Sequence, residues 1–240
     1  MTYAFLASDP SIEEAVRRVA REEAEGALAA LRREGPLGPR VHEMRKSVKK
    51  LRGLLRLVRP VVRAARAENA ALRDAGLGLS SLRDAAVLLA TAEGLAGALE
   101  EGRREALLQP LREAAEAHDA AAAEEFLPAF EAAMEGVRER AAGWRVRAEG
   151  WDAVSPGLED TWTQARAAMK AALKADDPDE DPELAHEWRK RVKDHWYQAR
   201  LLQPIWPDLM TPHVKAADDL GELLGKVNDL SVLLHRLEAD

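Results

Sequence analysis

The sequence predicts an all-α fold, and three features of it carry that prediction. Alanine, leucine, glutamate and arginine dominate, while aromatic residues make up only 5% of the 240 residues and β-branched residues are few, a composition that favours helices. No stretch alternates apolar and polar residues as a half-buried strand does. A helical motif also recurs at a fixed offset along the chain, which is the mark of a duplicated helical unit.

The elements follow in order. A first helix is expected to start at 8–11, with Pro10 in its first turn and Ser11-x-x-Glu14 as a capping box, and to stop near Gly35 and Pro36. A second runs over about 40–59 and meets Pro60. Residues 61–100 read as helical with interruptions at Gly76 and Gly78, followed by helices near 103–122 and 124–148. Gly150 to Gly157 reads as a linker. Helices are expected again near 158–174, 183–203 and 208–238, divided by an acidic loop and by Pro204 and Pro207. The whole chain is read as a single domain, with a first repeat over about 1–149 and a second over about 158–240. The acidic loop at 176–183 holds six carboxylates but also two prolines and no EF-hand spacing, so it reads as solvated chain rather than a calcium site.

Composition excludes several classes. A chain of 26.4 kDa with 47% apolar residues can bury a sizeable core. With no cysteine, a disulfide scaffold, a thiolate metal cluster and a cysteine nucleophile are all ruled out. The longest apolar stretches, such as 85–92, fall far short of the roughly 18 to 20 residues of a membrane span. The opening MTYAFLASDP lacks a charged segment followed by an apolar block, so no secretory signal is visible and a cytoplasmic setting is expected.

The net charge of −7 argues against a general binder of nucleic acid or anionic membrane. The charge is unevenly distributed, however. Residues 40–66 hold ten Lys or Arg and one Glu, and residues 186–200 hold five basic and two acidic residues, leaving −19 on the rest of the chain. Such a distribution suits a protein that receives an anion at one place.

Both basic segments belong to the repeat. Residues 42–49 read HEMRKSVK and residues 186–193 read HEWRKRVK, identical at six of eight positions. Arg56 and Pro60 find Arg200 and Pro204 at the same offset of 144. Further on, 82–89 (LRDAAVLL) matches 227–234 (VNDLSVLL), sharing Asp84 with Asp229 and the Val-Leu-Leu that follows.

In the first copy His42, Arg45, Lys49, Arg52 and Arg56 are spaced to fall within an arc of about 80° on a helix and to span about 21 Å. Met44, Val48, Leu51, Leu54, Leu55 and Val58 take the other side, so the helix can bury one face and present a column of cations on the other. The second copy keeps His186, Arg189, Lys193 and Arg200 on the stripe and has Trp196 at the fourth position. Like charges at these spacings repel by a few tenths of a kcal/mol per pair, and an ordinary solvated face would intersperse glutamates. Charge-assisted hydrogen bonds from Lys and Arg suit phosphate, so the matching ligand is an extended polyanion.

At these motifs the chain resembles the CHAD family, the conserved histidine α-helical domain, over essentially its whole length. The family pattern of His, Arg at +3, basic residues at +7 and +8, Leu at +9 and Arg at +10 is met by His42, Arg45, Lys49, Lys50, Leu51 and Arg52. The second copy keeps His186, Arg189 and Lys193 but has Asp194, His195 and Trp196 at the last three positions. The segments around Asp84 and Asp229 resemble the family's Arg-Asp-x-Asp-Val stretch, with Ala86 and Ser231 in place of the second Asp. The resemblance implies two pseudo-symmetric helical bundles with a basic surface channel that binds inorganic polyphosphate, in some members on storage granules, without catalysis or cofactor. Arg21 and Arg166, at an offset of 145, are candidates to extend the channel.

Other functions fit less well. Adjacent residues such as His42 and Glu43 point about 100° apart on a helix and no HExxH spacing exists, so a metal site is not expected. An enzyme would use His42 and His186 as acid and base in phosphoanhydride hydrolysis, but neither a P-loop nor the alternating-glutamate strand of the CYTH triphosphatases is present. A nucleic-acid module would stack bases on Trp188, Trp196 or Tyr197, residues that packing in a helical core also explains. A granule-coat role without a specific anion is the remaining alternative. His118, His195, His213 and His235 carry no recognisable constellation and read as structural or surface residues.

Overall fold

The structure is a computed structural model that describes residues 3–97, 99–174 and 182–239, without the side chains of 80–86, 116–125, 182, 236, 238 and 239. The acidic loop therefore lies largely outside the described residues, as do the side chains of Arg83, Asp84, Ala86 and His118. The all-α expectation holds, since the described secondary structure is entirely helical.

Helix α1, Ile12–Arg32, starts after Ser11, whose Oγ accepts from the Glu14 N–H at 3.2 Å. Pro10 therefore precedes the helix instead of opening it. Helix α2, Leu37–Leu57, is followed by α3, Ala65–Gly78, and α4, Ser80–Ala96. Gly76 does not interrupt α3, and Leu79 alone separates α3 from α4. Gly78 is needed for packing, because a Cβ there would lie 2.6 Å from the Phe126 ring.

Helix α5, Glu101–Ala141, replaces the two helices expected over 103–148 and runs unbroken through Pro110 and Pro128. Its middle is rich in alanine with no glycine near 122–124, and alanine is the strongest helix former. The end comes earlier than expected because the next residues are claimed by α1. The Trp144 carbonyl accepts from Arg17 Nε at 2.9 Å and the Val146 N–H donates to Glu13 at 2.9 Å. A 3-10 turn, Gly150–Ala153, leads into α6, Ser155–Ala172, then come α7, Pro182–Leu202, a second 3-10 turn, Gln203–Ile205, and α8, Pro207–Ala239.

The segment read as a linker is packed. Ala153 and Val154 are buried, and a Cβ on Gly157 would stand 1.8 Å from the Leu57 carbonyl oxygen, so α6 is seated directly on the end of α2. One apolar cluster joins Val16, Val19 and Leu28 of α1 and Leu51, Leu54 and Leu55 of α2 to Tyr197, Leu201 and Leu202 of α7. The Phe5 N–H donates to the Leu201 carbonyl at 2.8 Å, which ties the opening segment to α7. Helices α2 and α7 cross where a Cβ on Gly53 would come within 2.7 Å of Tyr197 Cβ, and Gly53 and Tyr197 are matching positions of the 144-residue repeat. That crossing sets the two basic helices side by side.

Candidate functional site

The apolar face expected for α2 is buried. Met44, Leu51, Leu54, Leu55 and Val58 are at 0% exposure and Val48 at 3%, so the cationic stripe has to face outward on the same helix. It faces a groove of about 760 Å³ between α2, α7 and α8. From α2 the groove is lined by His42, Arg45, Lys46, Lys49, Arg52 and Arg56. From α7 come Arg189, Lys190, Arg191, Lys193, Asp194 and Trp196, and from α8 Asp218, Glu222, Lys226 and Asp229. Ten lysines and arginines thus surround four carboxylates in a chain whose net charge is −7.

Three of the carboxylates, Asp218, Glu222 and Asp229, come from α8 and the fourth, Asp194, from α7. Arg56 pairs with Asp194 of α7, and Arg191 reaches the same carboxylate at 3.7 Å. Lys193 Nζ lies 3.1 Å from Asp218 and 2.7 Å from Glu222. The hydrogen bond from Lys193 holds the Glu222 carboxyl below its ordinary pKa. Burial raises that of Asp194, against the pull of Arg56, Arg191 and Arg52.

Arg52 is a strongly perturbed cation. Burial, and then the neighbouring charge of Arg56, bring its guanidinium down to about 10, although its Nε donates to Asn69 Oδ1 at 3.2 Å. A guanidinium held under such conditions gains from an arriving anion, which replaces lost hydration and offsets the repulsion. Arg189 Nε is buried with no partner among the described residues.

Not every residue of the motif reaches the groove. Lys50 falls about 80° from His42 on the helix and points to the other side, where Nζ meets Glu23 at 2.7 Å and Glu23 also accepts from Ser47 at 3.1 Å. Arg200 lies over the rings of Trp196 and Tyr3, at 4.9 and 5.7 Å from their centroids. His186 Nδ1 is 2.5 Å from Asn228 Oδ1, so it joins α7 to the repeated segment on α8 and is not among the lining residues. Arg21 is exposed on α1 away from the groove. Arg166 lines a separate apolar cleft of about 230 Å³ with Trp162, Trp188, His195 and His213.

Lys46 and Lys190, matching positions of the two copies, line the groove although the stripe did not include them. An arc of about 120° on the helical wheel would have found both, whereas Lys226 and the α8 carboxylates depend on where α8 packs. His195 and His213, read as unconnected, are joined by a 2.8 Å contact between their Nε2 atoms. Among the described residues no group of three or more His, Asp or Glu is placed to hold a metal ion, and no helix is long and apolar enough to cross a membrane.

The fold and the groove define an all-helical protein with a cation-lined groove between two helices that carry the same motif. The chain belongs to the CHAD domain family, whose model matches residues 12–238. It is similar to the crystal structure of the CHAD domain from the plant Ricinus communis, with a TM-score of 0.72 and 24% identity, over 99% of this chain and 82% of that one. No curated protein matches the chain.

Proposed function

We propose that this chain binds inorganic polyphosphate in the groove between α2, α7 and α8, without turning it over. The observation that carries the reading is the surplus of cations around one elongated groove, ten against four carboxylates. An extended anion with closely spaced charges matches a column of guanidinium and ammonium groups about 21 Å long. In this reading Arg45, Lys49, Arg52 and Arg56 hold one side of the polymer, and Arg189 and Lys193 hold the other. The expected setting is the cytoplasm, at polyphosphate granules where the polymer is stored.

Nucleic acid is the competing ligand because Trp196 lines the groove. Its ring already carries Lys193 Nζ at 4.6 Å and the Arg200 guanidinium at 4.9 Å from its centroid, which favours a role in orienting cations over stacking a base.

Calorimetric titration with polyphosphate of defined length at two salt concentrations tests the reading. Binding is expected to weaken steeply with salt, and Arg45→Glu combined with Arg52→Glu to lower affinity about a hundredfold while circular dichroism keeps its helical signal. Unchanged affinity in the folded double variant refutes the site, and stronger binding of nucleic acid of matched charge refutes the choice of ligand. Phosphate release with Mg²⁺ or Mn²⁺ that scales with protein concentration and is lost in His42→Ala would overturn the non-catalytic assignment.

A further inference from the structure

Helix α8, which forms one wall of the groove, contains two glycines one turn apart, Gly221 and Gly225, the second of which lines the groove. Glycine is less favourable than alanine in a helix interior, and neither residue has a positive φ, so backbone conformation does not call for them. The neighbouring side chains do. A Cβ on Gly221 would stand 2.7 Å from Lys193 Cε and 2.9 Å from its Cδ, and a Cβ on Gly225 would stand 3.2 Å from Arg189 Nε. Arg189 and Lys193 are also one turn apart, on α7, so each glycine faces one cation across the helix pair. Beyond the glycines, Asp218 and Glu222 hold the Lys193 ammonium from α8.

We propose that Gly221 and Gly225 are positioning residues of the groove: their missing side chains let Lys193 and Arg189 lie along α8 and present both cations to one bound anion. The proposal rests on the polyphosphate reading and deepens it. The atoms met by an added methyl belong to the outer parts of flexible side chains, so alanine pushes the cations aside without parting the helices. Stability and binding should therefore move in opposite directions. Alanine relieves the helix of glycine while it spoils the placement of the cations.

The test compares the native chain with Gly221→Ala, Gly225→Ala and the double variant, measuring the melting temperature, the affinity for polyphosphate of defined length and its salt dependence. The melting temperature is expected to hold or rise. Affinity of the double variant falls about tenfold, and the slope of log affinity against log salt drops by about one for each displaced cation. In an Arg189→Lys background Gly225→Ala has little further effect, because the guanidinium it displaces is gone. Hydrogen exchange at the Arg189 Nε–H, followed by ¹⁵N NMR, speeds up in Gly225→Ala with or without polymer. Unchanged exchange, unchanged affinity and slope, or a melting temperature that falls along with affinity overturns the positioning role. A native chain that binds no polyphosphate but shows the exchange effect overturns the functional reading and leaves the cradle in place as a feature of the fold.

Discussion

Helices α2 and α7 carry the same motif in different surroundings. In α2 the core-facing positions Met44, Val48, Leu51 and Leu54 are all apolar and buried. The matching positions of α7 are Trp188, Val192, His195 and Gln198. Gln198 is fully buried, donating from Nε2 to Thr161 Oγ1 at 2.9 Å while its Oε1 has no partner among the described residues. On the other face, Lys50 of α2 corresponds to Asp194 of α7, which enters the groove and pairs with Arg56 of α2. The first copy is built as an apolar helix with a cationic edge. The second has a partly polar interior and counter-ions of its own, so the two can share one groove without contributing equally to it.

The largest expected effect concerns acid. Burial, and then His213, bring His195 down to about 4 from its ordinary 6.5. The folded state thus keeps this imidazole neutral over a range in which the unfolded chain takes up a proton. Its contribution is fully present above about pH 6.5, is lost as pH falls towards 4, and amounts to up to about 3 kcal/mol. His195→Leu, which copies Leu51 of α2, should flatten the fall in stability between pH 7 and pH 4.5 in urea unfolding. An identical pH profile in the variant would remove this difference between the helices.

Next comes the ligand. Short polyphosphate should depend mainly on the first copy, so Arg45→Ala should cost about tenfold in affinity and Arg189→Ala about threefold. Long chains should feel both, because a polymer held at α2 presents its remaining phosphates to α7 at high effective concentration. Calorimetry across a series of lengths measures this. No effect of Arg189→Ala at any length would mean that α7 takes no part in binding.

The smallest effect lies in the core of the second copy. Gln198→Leu restores the apolar residue found at Leu54 and removes an unsatisfied oxygen, while Thr161 keeps its bond to the Gly157 carbonyl at 3.0 Å. A gain of about 1 kcal/mol is expected, read as slower amide hydrogen exchange in α6 and α7. Faster exchange would show that the amide fits its site better than a branched apolar group does.

Much of the groove was legible in advance because the helical period alone decides which residues share a face. His42, Arg45, Lys49, Arg52 and Arg56 needed only that rule, and all five line it. Lys50 matched the family pattern but lies off the column, and its distance around the helix sends it to Glu23. The unbroken course of α5 was not anticipated: a break was expected between 122 and 124, where the alanine-rich chain carries neither glycine nor proline and the helix continues.

By itself the sequence determined the helical class, the repeated motif, and the division of α2 into a buried and a cationic face, because composition and a period of 3.6 residues act within single segments. Only the tertiary structure decided which cations share a groove, which are spent on Glu23 or on aromatic rings, and which carboxylates enter it. These outcomes depend on contacts between residues far apart in the chain. Gly157 against Leu57 and Gly53 against Tyr197 set how closely the helices approach, and a difference of one methyl at such a contact is invisible to any rule that reads one segment at a time.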